Sequence, residues 1–335
     1  MRAMVVCAAA AFAGGAQAQT VLRFNLWVPP AHHTHTKMMM PWANDVAEAT
    51  GGRVKVEFTA ASLGAPPRQF DLAAEGLADV VFGDHTYTPG RFVITKMVEL
   101  PFTGDDAEAL STAFWRTYSP LPEGEKEHEG VKLLGLFTTG IQSVLTAKKK
   151  IDSLDALRGL KLRVPGEMSS RVFKELGAVP ISAPATQVFD LVSQGVVDGA
   201  AFNIDAYKNF RLDRFMKLAT IFPEGLYNTS LFLVMNRKKW DSLPRQDQDA
   251  IWKVSAEYFS RRAGKVWDDE ARISIDAMKE NKVEMTVMDP KLKAQIAPKL
   301  AHLRAEWIEE ARKQRSVDGE RLLQKLRQEY DAVKK

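Results

Sequence analysis

Strand and helix patterns alternate along the first two thirds of this sequence, and they do so in two sets. Val21–Trp27 alternates apolar and polar residues as a strand does, Pro29-Pro30 stops it, and a helical pattern runs from about Thr36 to Thr50, closed by Gly51-Gly52. A strand pattern at Val54–Thr59, a helix near Arg68–Gly76 and an apolar strand at Asp79–Gly83 complete the first set. The second holds strands at Leu133–Thr138, Ser143–Ala147, Leu160–Val164, Val179–Ser182 and Asp198–Asn203, with helices over Ser169–Leu176 and near Thr186–Gln194. Parallel strands are joined through long crossovers, usually helices, so this spacing predicts βαβ units and mainly parallel sheets. The last third reads as helical: one long or kinked helix over Asp241–Lys282, a strand at Glu284–Met288, then charged amphipathic helices over Pro290–Arg312 and Asp318–Val333. The change of unit falls near residues 140–145. No low-complexity linker separates the halves, so two lobes joined by more than one crossing of the chain are expected.

The N-terminus differs in kind. Arg2 is followed by a short alanine-rich apolar stretch, Met4–Phe12, and then by Ala16-Gln17-Ala18, the small-x-small pattern of a secretory cleavage site. Residues 1–18 are therefore expected to be a signal peptide cut after Ala18, with the mature chain in the periplasm; a buried N-terminal helix is the alternative. No later segment reaches the roughly 18 apolar residues of a membrane span. Cys7 is the sole cysteine and leaves with the leader, which excludes disulfides, thiol nucleophiles and cysteine metal sites from the mature chain. The charge is +4, scattered along the chain with no basic stripe, so nucleic acid is not an expected partner. Lys148-Lys149-Lys150 reads as a solvated edge. Two α/β units behind an export signal favour a cleft-type binding protein, because ligands of open α/β sheets sit beyond the carboxyl ends of the strands.

Leu157-Arg-Gly-Leu-Lys-Leu-Arg-Val-Pro-Gly166, with Leu176-Gly-Ala178 and Gln194-Gly-Val-Val-Asp-Gly199 downstream, resembles the solute-binding subunit of tripartite ATP-independent periplasmic (TRAP) transporters, the DctP-type family. Gly51–Val56, Gly76–Asp79, Glu99-Leu-Pro-Phe102, Val234-Met-Asn236 and Trp240 extend the resemblance over nearly all of the mature chain, and His85–Phe92 is similar to one branch. The resemblance implies a two-lobed, periplasmic-binding-protein-like α/β fold, a cleft between the lobes and long C-terminal helices packing across both. Lobe I is then 19–141 plus about 229–268; lobe II is 142–228 plus about 269–335. It also implies a small organic acid as ligand, an integral-membrane TRAP permease as partner, and Arg163 as the residue that holds the ligand carboxylate. A guanidinium suits that task independently, since its parallel N–H groups match the two oxygens of a carboxylate. A structural arginine paired with Asp198 is the plain alternative.

Two departures from the family pattern bear on the ligand. In the sialic-acid branch a second arginine lies on the preceding strand, where this chain has Ser143. The usual glutamine-glutamate-asparagine after Val-Asp-Gly is replaced by Ala200-Ala201-Phe202, followed by Asn203. Fewer polar groups and an added phenylalanine point to a monocarboxylate with an apolar or aromatic body, such as a 2-oxo or 2-hydroxy acid. A second buried carboxylate without a partner would be costly, which argues against dicarboxylates.

Trp27 ends the first strand, at the cleft mouth or in the core. His85 and Tyr87, with Phe82 and Asp84, lie at the carboxyl end of the third strand, where a ring with a polar tip suits an acid ligand. Arg91 is a second cation near that end, or a partner of Glu99. Tyr227 and Asn228 fall where the chain crosses between lobes and either reach the cleft or serve the hinge. His32, His33 and His35 invite a metal reading, but adjacent histidines rarely converge and a site needs a distant ligand as well, so no metal or cofactor is expected. Met38-Met39-Met40 reads as core packing. No nucleophile elbow, His-Glu-x-x-His, P-loop or dinucleotide fingerprint occurs, so an enzyme is the weaker alternative. A periplasmic sensor or co-receptor would use the same site with a different partner. A monomer or weak dimer is expected.

Overall fold

The computed structural model describes residues 19–334, so the leader with Cys7 and the cleavage site lies outside the described residues. Strands β1 (Thr20–Asn25), β2 (Val54–Phe58), β3 (Val80–Asp84), β4 (Val131–Thr138), β5 (Gln142–Thr146), β6 (Lys161–Val164), β7 (Val179–Ser182), β8 (Gly199–Asn203), β9 (Leu218–Ile221), β10 (Ser230–Asn236) and β11 (Glu284–Val287) form two sheets. Their orders are β2-β1-β3-β10-β4 and β11-β9-β5-β8-β6-β7. Helices flank both sheets, giving a two-lobed α/β architecture.

The sheets are mixed, not mainly parallel. In the first, β1 pairs parallel with β2 and β3, while β10 runs antiparallel between β3 and β4. In the second, β5 runs antiparallel to β8 and β9, against parallel β6–β7, β6–β8 and β9–β11 pairs. The chain leaves the first sheet through β4 and enters the second through β5; it returns from β9 to β10. In each sheet, the strand arriving from the other side is the one that opposes its neighbours. Strand β10, all seven residues buried, is a continuous apolar run bounded by polar ends, without the alternation that marks a half-exposed strand.

The pattern over 241–282 resolves into separate helices. Arg237–Asp241 and Arg245–Lys253 are divided at Pro244, which lacks an N–H and keeps Leu243 out of helical geometry. A second break at Ala256, with φ 56°, precedes the long helix. We label the helices that matter below α1 (Ala107–Tyr118), α2 (Glu167–Glu175), α3 (Ala256–Glu280), α4 (Pro290–Arg315) and α5 (Gly319–Val333). Helix α3 joins the lobes physically: Phe259, Ala263 and Trp267 are buried in the core around β1, β3 and β10, whereas Ala271 and Met278 are buried in the core around β5 and β8. The C-terminal helices also reach both sides. On α4, the Trp307 indole N–H donates to Val93 O at 2.8 Å, Glu310 meets Lys96 at 3.0 Å, and Glu306 pairs with Arg171 on α2. Among the described residues, no helix is long and apolar enough to cross a membrane.

Candidate functional site

The carboxyl ends of β3, β6 and β8 converge with the start of β10 on a cavity between the sheets, with about 470 Å³ of atom-free space. Trp27, Phe82, Asp84 and Tyr87 line it from the first lobe, Arg163, Phe202 and Asn203 from the second, and Tyr227 and Trp267 from the segments that connect them.

Arg163 ends β6 and is 1% exposed. Its Nε donates to Ala183 O at 2.8 Å, and the guanidinium lies over the Phe202 ring, 4.3 Å from its centre. Neither Nη has a partner among the described residues. Asp198 does not engage it, because the Asp198 carboxylate accepts Lys161 N–H at 2.8 Å. Among the described residues, eight buried side-chain polar atoms lack partners, and four of them, Arg163 Nη1 and Nη2, Tyr227 Oη and Trp267 Nε1, belong to cavity-lining residues. Each of the four can donate a hydrogen bond. An unpaired buried donor costs about 1–3 kcal/mol, so the cavity is built for an acceptor-rich guest. Its walls are aromatic. Trp27 stacks on Phe82 with ring centres 5.1 Å apart and donates its N–H to Phe82 O at 2.9 Å; opposite, Phe202 packs on Phe210 at 5.3 Å.

The lobes touch around the cavity through buried polar contacts. Tyr87 Oη accepts Ala185 N–H at 2.9 Å, and burial, followed by the Asp84 charge, pushes its hydroxyl up to about 12. Arg163 acts on that hydroxyl electrostatically, yet neither Nη meets it in hydrogen-bond geometry. Gly166, of the Arg-Val-Pro-Gly stretch, is where Thr86 comes closest: a Cβ there would lie 2.5 Å from Thr86 Cβ. On the other flank, His33 Nε2 lies 2.9 Å from Asp205 Oδ2, both fully buried. Burial pushes the Asp205 carboxyl up, but His33 and Asn203 outweigh it and leave it below its ordinary value. Ligand atoms of His32, His33 and Asp205 fall within 4.8 Å of one another, a set that could hold a metal. Several of its atoms are also hydrogen-bonded within the protein: His32 Nδ1 accepts Thr34 N–H at 3.1 Å, and Asp205 takes Asn203 and Asn209, while His33 Nδ1 has no partner among the described residues. His35 turns away, bonding Pro30 O at 2.9 Å.

With this geometry in view, the relatives are informative. The family model for bacterial extracellular solute-binding proteins of family 7 matches residues 24–310. The chain belongs to that family, DctP. A TRAP solute-binding protein of Bordetella bronchiseptica, with bound (R)- and (S)-mandelate, superposes with a TM-score of 0.90 at 33% identity, covering 94% of this chain and 99% of that one. One from Rhodoferax ferrireducens, with copurified benzoate, gives 0.88 at 26% identity over 94% and 98%. In sequence, the protein named outer membrane transporter protein TsaT of Comamonas testosteroni is 29% identical, over 81% of this chain and 80% of its own length.

Within this DctP-family fold, four residues weighed for the site, Ser143, Asn228, Arg91 and His85, do not line the cavity. Ser143 is buried where β5 opposes β8, and its hydroxyl donates to Phe202 O at 2.9 Å, holding that strand rather than facing the cavity. Asn228 lies at the crossings between the sheets: its Oδ1 accepts Thr139 Oγ1 at 3.1 Å and Thr229 N–H at 2.8 Å, tying the two crossings together. Arg91 pairs with Asp71 at 2.8 Å, not with Glu99.

His85 sits behind the cavity wall in a buried polar chain. The chain runs from Tyr118 Oη to His128 Nδ1 (2.9 Å), His128 Nε2 to His85 Nε2 (3.2 Å) and His85 Nδ1 to Ser230 Oγ (3.1 Å), and Ser230 O–H donates to Glu99 Oε1. Burial, then the neighbouring His128, holds His85 well below its usual range and keeps it neutral. Glu99 ends the chain, and burial pushes its carboxyl from 4.5 to about 8 despite the Ser230 bond. A raised carboxyl contributes stability that is present below pH 4.5 and lost as pH rises through about 8. Glu99→Gln keeps the acceptor without the titration. Its stability relative to wild type is therefore expected to improve between pH 5 and 8.5, by on the order of a few kcal/mol in thermal melts. A gap that does not change with pH would mean that Glu99 is ionised throughout.

Trp267, Thr139 and Thr229 line the cavity without having been anticipated. Trp267 reads as one more apolar position of an amphipathic helix; only knowing that α3 passes from one core to the other places it at the opening.

Proposed function

We propose that this DctP-family protein captures an aromatic or 2-oxo/2-hydroxy monocarboxylate in the periplasm and delivers it to a TRAP-type permease. The observation that carries this reading is the set of four partnerless buried donors on residues lining an otherwise aromatic cavity. A carboxylate offers paired acceptors to Arg163, with Tyr227 and Trp267 as further donors, while a ring fits between the Trp27–Phe82 and Phe202–Phe210 pairs. Related proteins with mandelate and benzoate support the same class. A dicarboxylate would need a second cation, and Arg163 is the only arginine or lysine lining this cavity among the described residues.

In this reading the moving bodies are 19–141 with about 229–268, and 142–228 with about 269–335. They rotate about the Thr139–Asn228–Thr229 knot, and the ligand favours closure by its differential affinity for the closed form. Capture and release need no bond-making chemistry. A thermal-shift panel on residues 19–335 tests the class: benzoate, phenylacetate, mandelate and phenylglyoxylate are expected to raise the melting temperature, and succinate is not. Succinate preferred over every monocarboxylate would overturn it.

A further inference from the structure

The cavity contains one carboxylate among its donors. Asp84 ends β3 opposite Leu231 of β10 and is 6% exposed. Its Oδ1 accepts both Thr86 N–H at 2.8 Å and Thr86 Oγ1 at 2.7 Å. Its Oδ2 has no hydrogen-bond partner among the described residues, and the residue lines the cavity. Arg163 is near enough to act on this carboxyl, yet no ion pair joins them. The cation on the second lobe and an unpartnered carboxylate oxygen on the first thus face one cavity without pairing with each other.

We infer that Asp84 Oδ2 accepts a hydroxyl on the carbon next to the ligand's carboxylate, making the protein selective for aryl 2-hydroxy acids over their 2-oxo and deoxy counterparts. This rests on the aromatic-monocarboxylate reading above. A carboxylate held by Arg163 brings its negative charge beside Asp84, an unfavourable approach for a ligand with nothing to place between them. A 2-hydroxyl resolves it by donating to Asp84 while the carboxylate accepts from Arg163. A hydroxyl across the ring would instead be carried toward the aromatic pairs. A 2-oxo group sets an acceptor against an acceptor, and a site built around a substrate hydroxyl discriminates strongly against analogues lacking it.

Protonation supports the same role. Burial pushes the Asp84 carboxyl from 3.8 to about 7, opposed by the Thr86 bonds and by Arg163. The other titratable groups acting around it are Tyr87, Tyr227 and Glu99, and the first two stay neutral at any ordinary pH. A pH of 8.5, above that value, favours the ionised carboxylate, which can only accept.

Calorimetry at pH 8.5 with (R)-mandelate, (S)-mandelate, phenylacetate and phenylglyoxylate tests the assignment on the wild type, Asp84→Asn and Asp84→Ser. The wild type is expected to bind at least one mandelate about tenfold or more tighter than phenylacetate and phenylglyoxylate. In Asp84→Asn that preference should collapse, with phenylacetate affinity kept or improved and phenylglyoxylate improved, because an amide N–H now faces the keto oxygen. Retained phenylacetate binding also reports a folded variant, and Asp84→Ser serves if the amide does not fold. A wild type that binds phenylacetate and mandelate equally, or a preference that survives both substitutions, overturns the inference and leaves the carboxylate site standing. If none of the four acids binds the wild type, the aromatic-acid reading fails, and the inference with it.

Discussion

Arg163→Ala is expected to lose every carboxylate that stabilises the wild type, with affinity falling about 100-fold or more. Truncating one member of a buried, hydrogen-bonded charge pair costs about 2–5 kcal/mol, much of it from stranding the other charge. Here the stranded charge is the ligand's, enclosed by Trp27, Phe82, Phe202 and Phe210 with no second arginine or lysine on the wall among the described residues.

Lysine should recover little. The Arg163 fork spends Nε on Ala183 O and keeps both Nη atoms for the guest, whereas an ammonium on a flexible stem cannot do both. Without ligand, two effects oppose each other. Alanine removes two buried N–H groups that lack partners but uncovers the Phe202 ring. The melting temperature of the free variant should consequently lie within a few degrees of wild type, which separates lost binding from lost folding. Ligand-induced shifts that persist unchanged in Arg163→Ala would remove this residue from the site.

Arg163 was legible because it stands on a recognisable stretch and at the carboxyl end of a strand. Trp27, Tyr87, Phe202, Asn203 and Tyr227 share that property or sit at a crossing, and the structure places all of them on the cavity. His85 shares it as well, but the side chain turns toward Ser230 and His128, and no local pattern specifies which way a residue just past a strand end will face. Strand β10 was hidden for another reason: its direction depends on the chain returning from the second lobe, a fact of topology absent from its own seven residues. The helix break at Pro244 has a chemical marker; the one at Ala256 is a left-handed alanine that nothing in the sequence announces.

Gly264→Ala is the case where local reasoning and packing disagree outright. Within a 25-residue helix, alanine in place of glycine should gain close to 1 kcal/mol from helix propensity. In the fold, the added Cβ would lie 2.1 Å from Ala107 O and 2.6 Å from Ala107 C. Those are backbone atoms at the first turn of α1, and they cannot rotate away. They are also pinned: Asp268, one turn along α3, accepts the N–H groups of Ala107 and Glu108 at 2.9 Å each. The clash is therefore expected to win, with a net loss of about 3 kcal/mol and a melting temperature lower by several degrees. Because Trp267 lies within a turn of Gly264 and lines the cavity, any shift of α3 should also weaken carboxylate binding. Asp268→Asn loosens the pin by giving up one of the two acceptor oxygens. In the double variant α1 can retreat, so the combined loss should fall short of the sum of the single losses. Additive losses would mean that α1 cannot retreat even when unpinned, and a Gly264→Ala protein as stable as wild type would mean that the α1–α3 crossing yields at little cost.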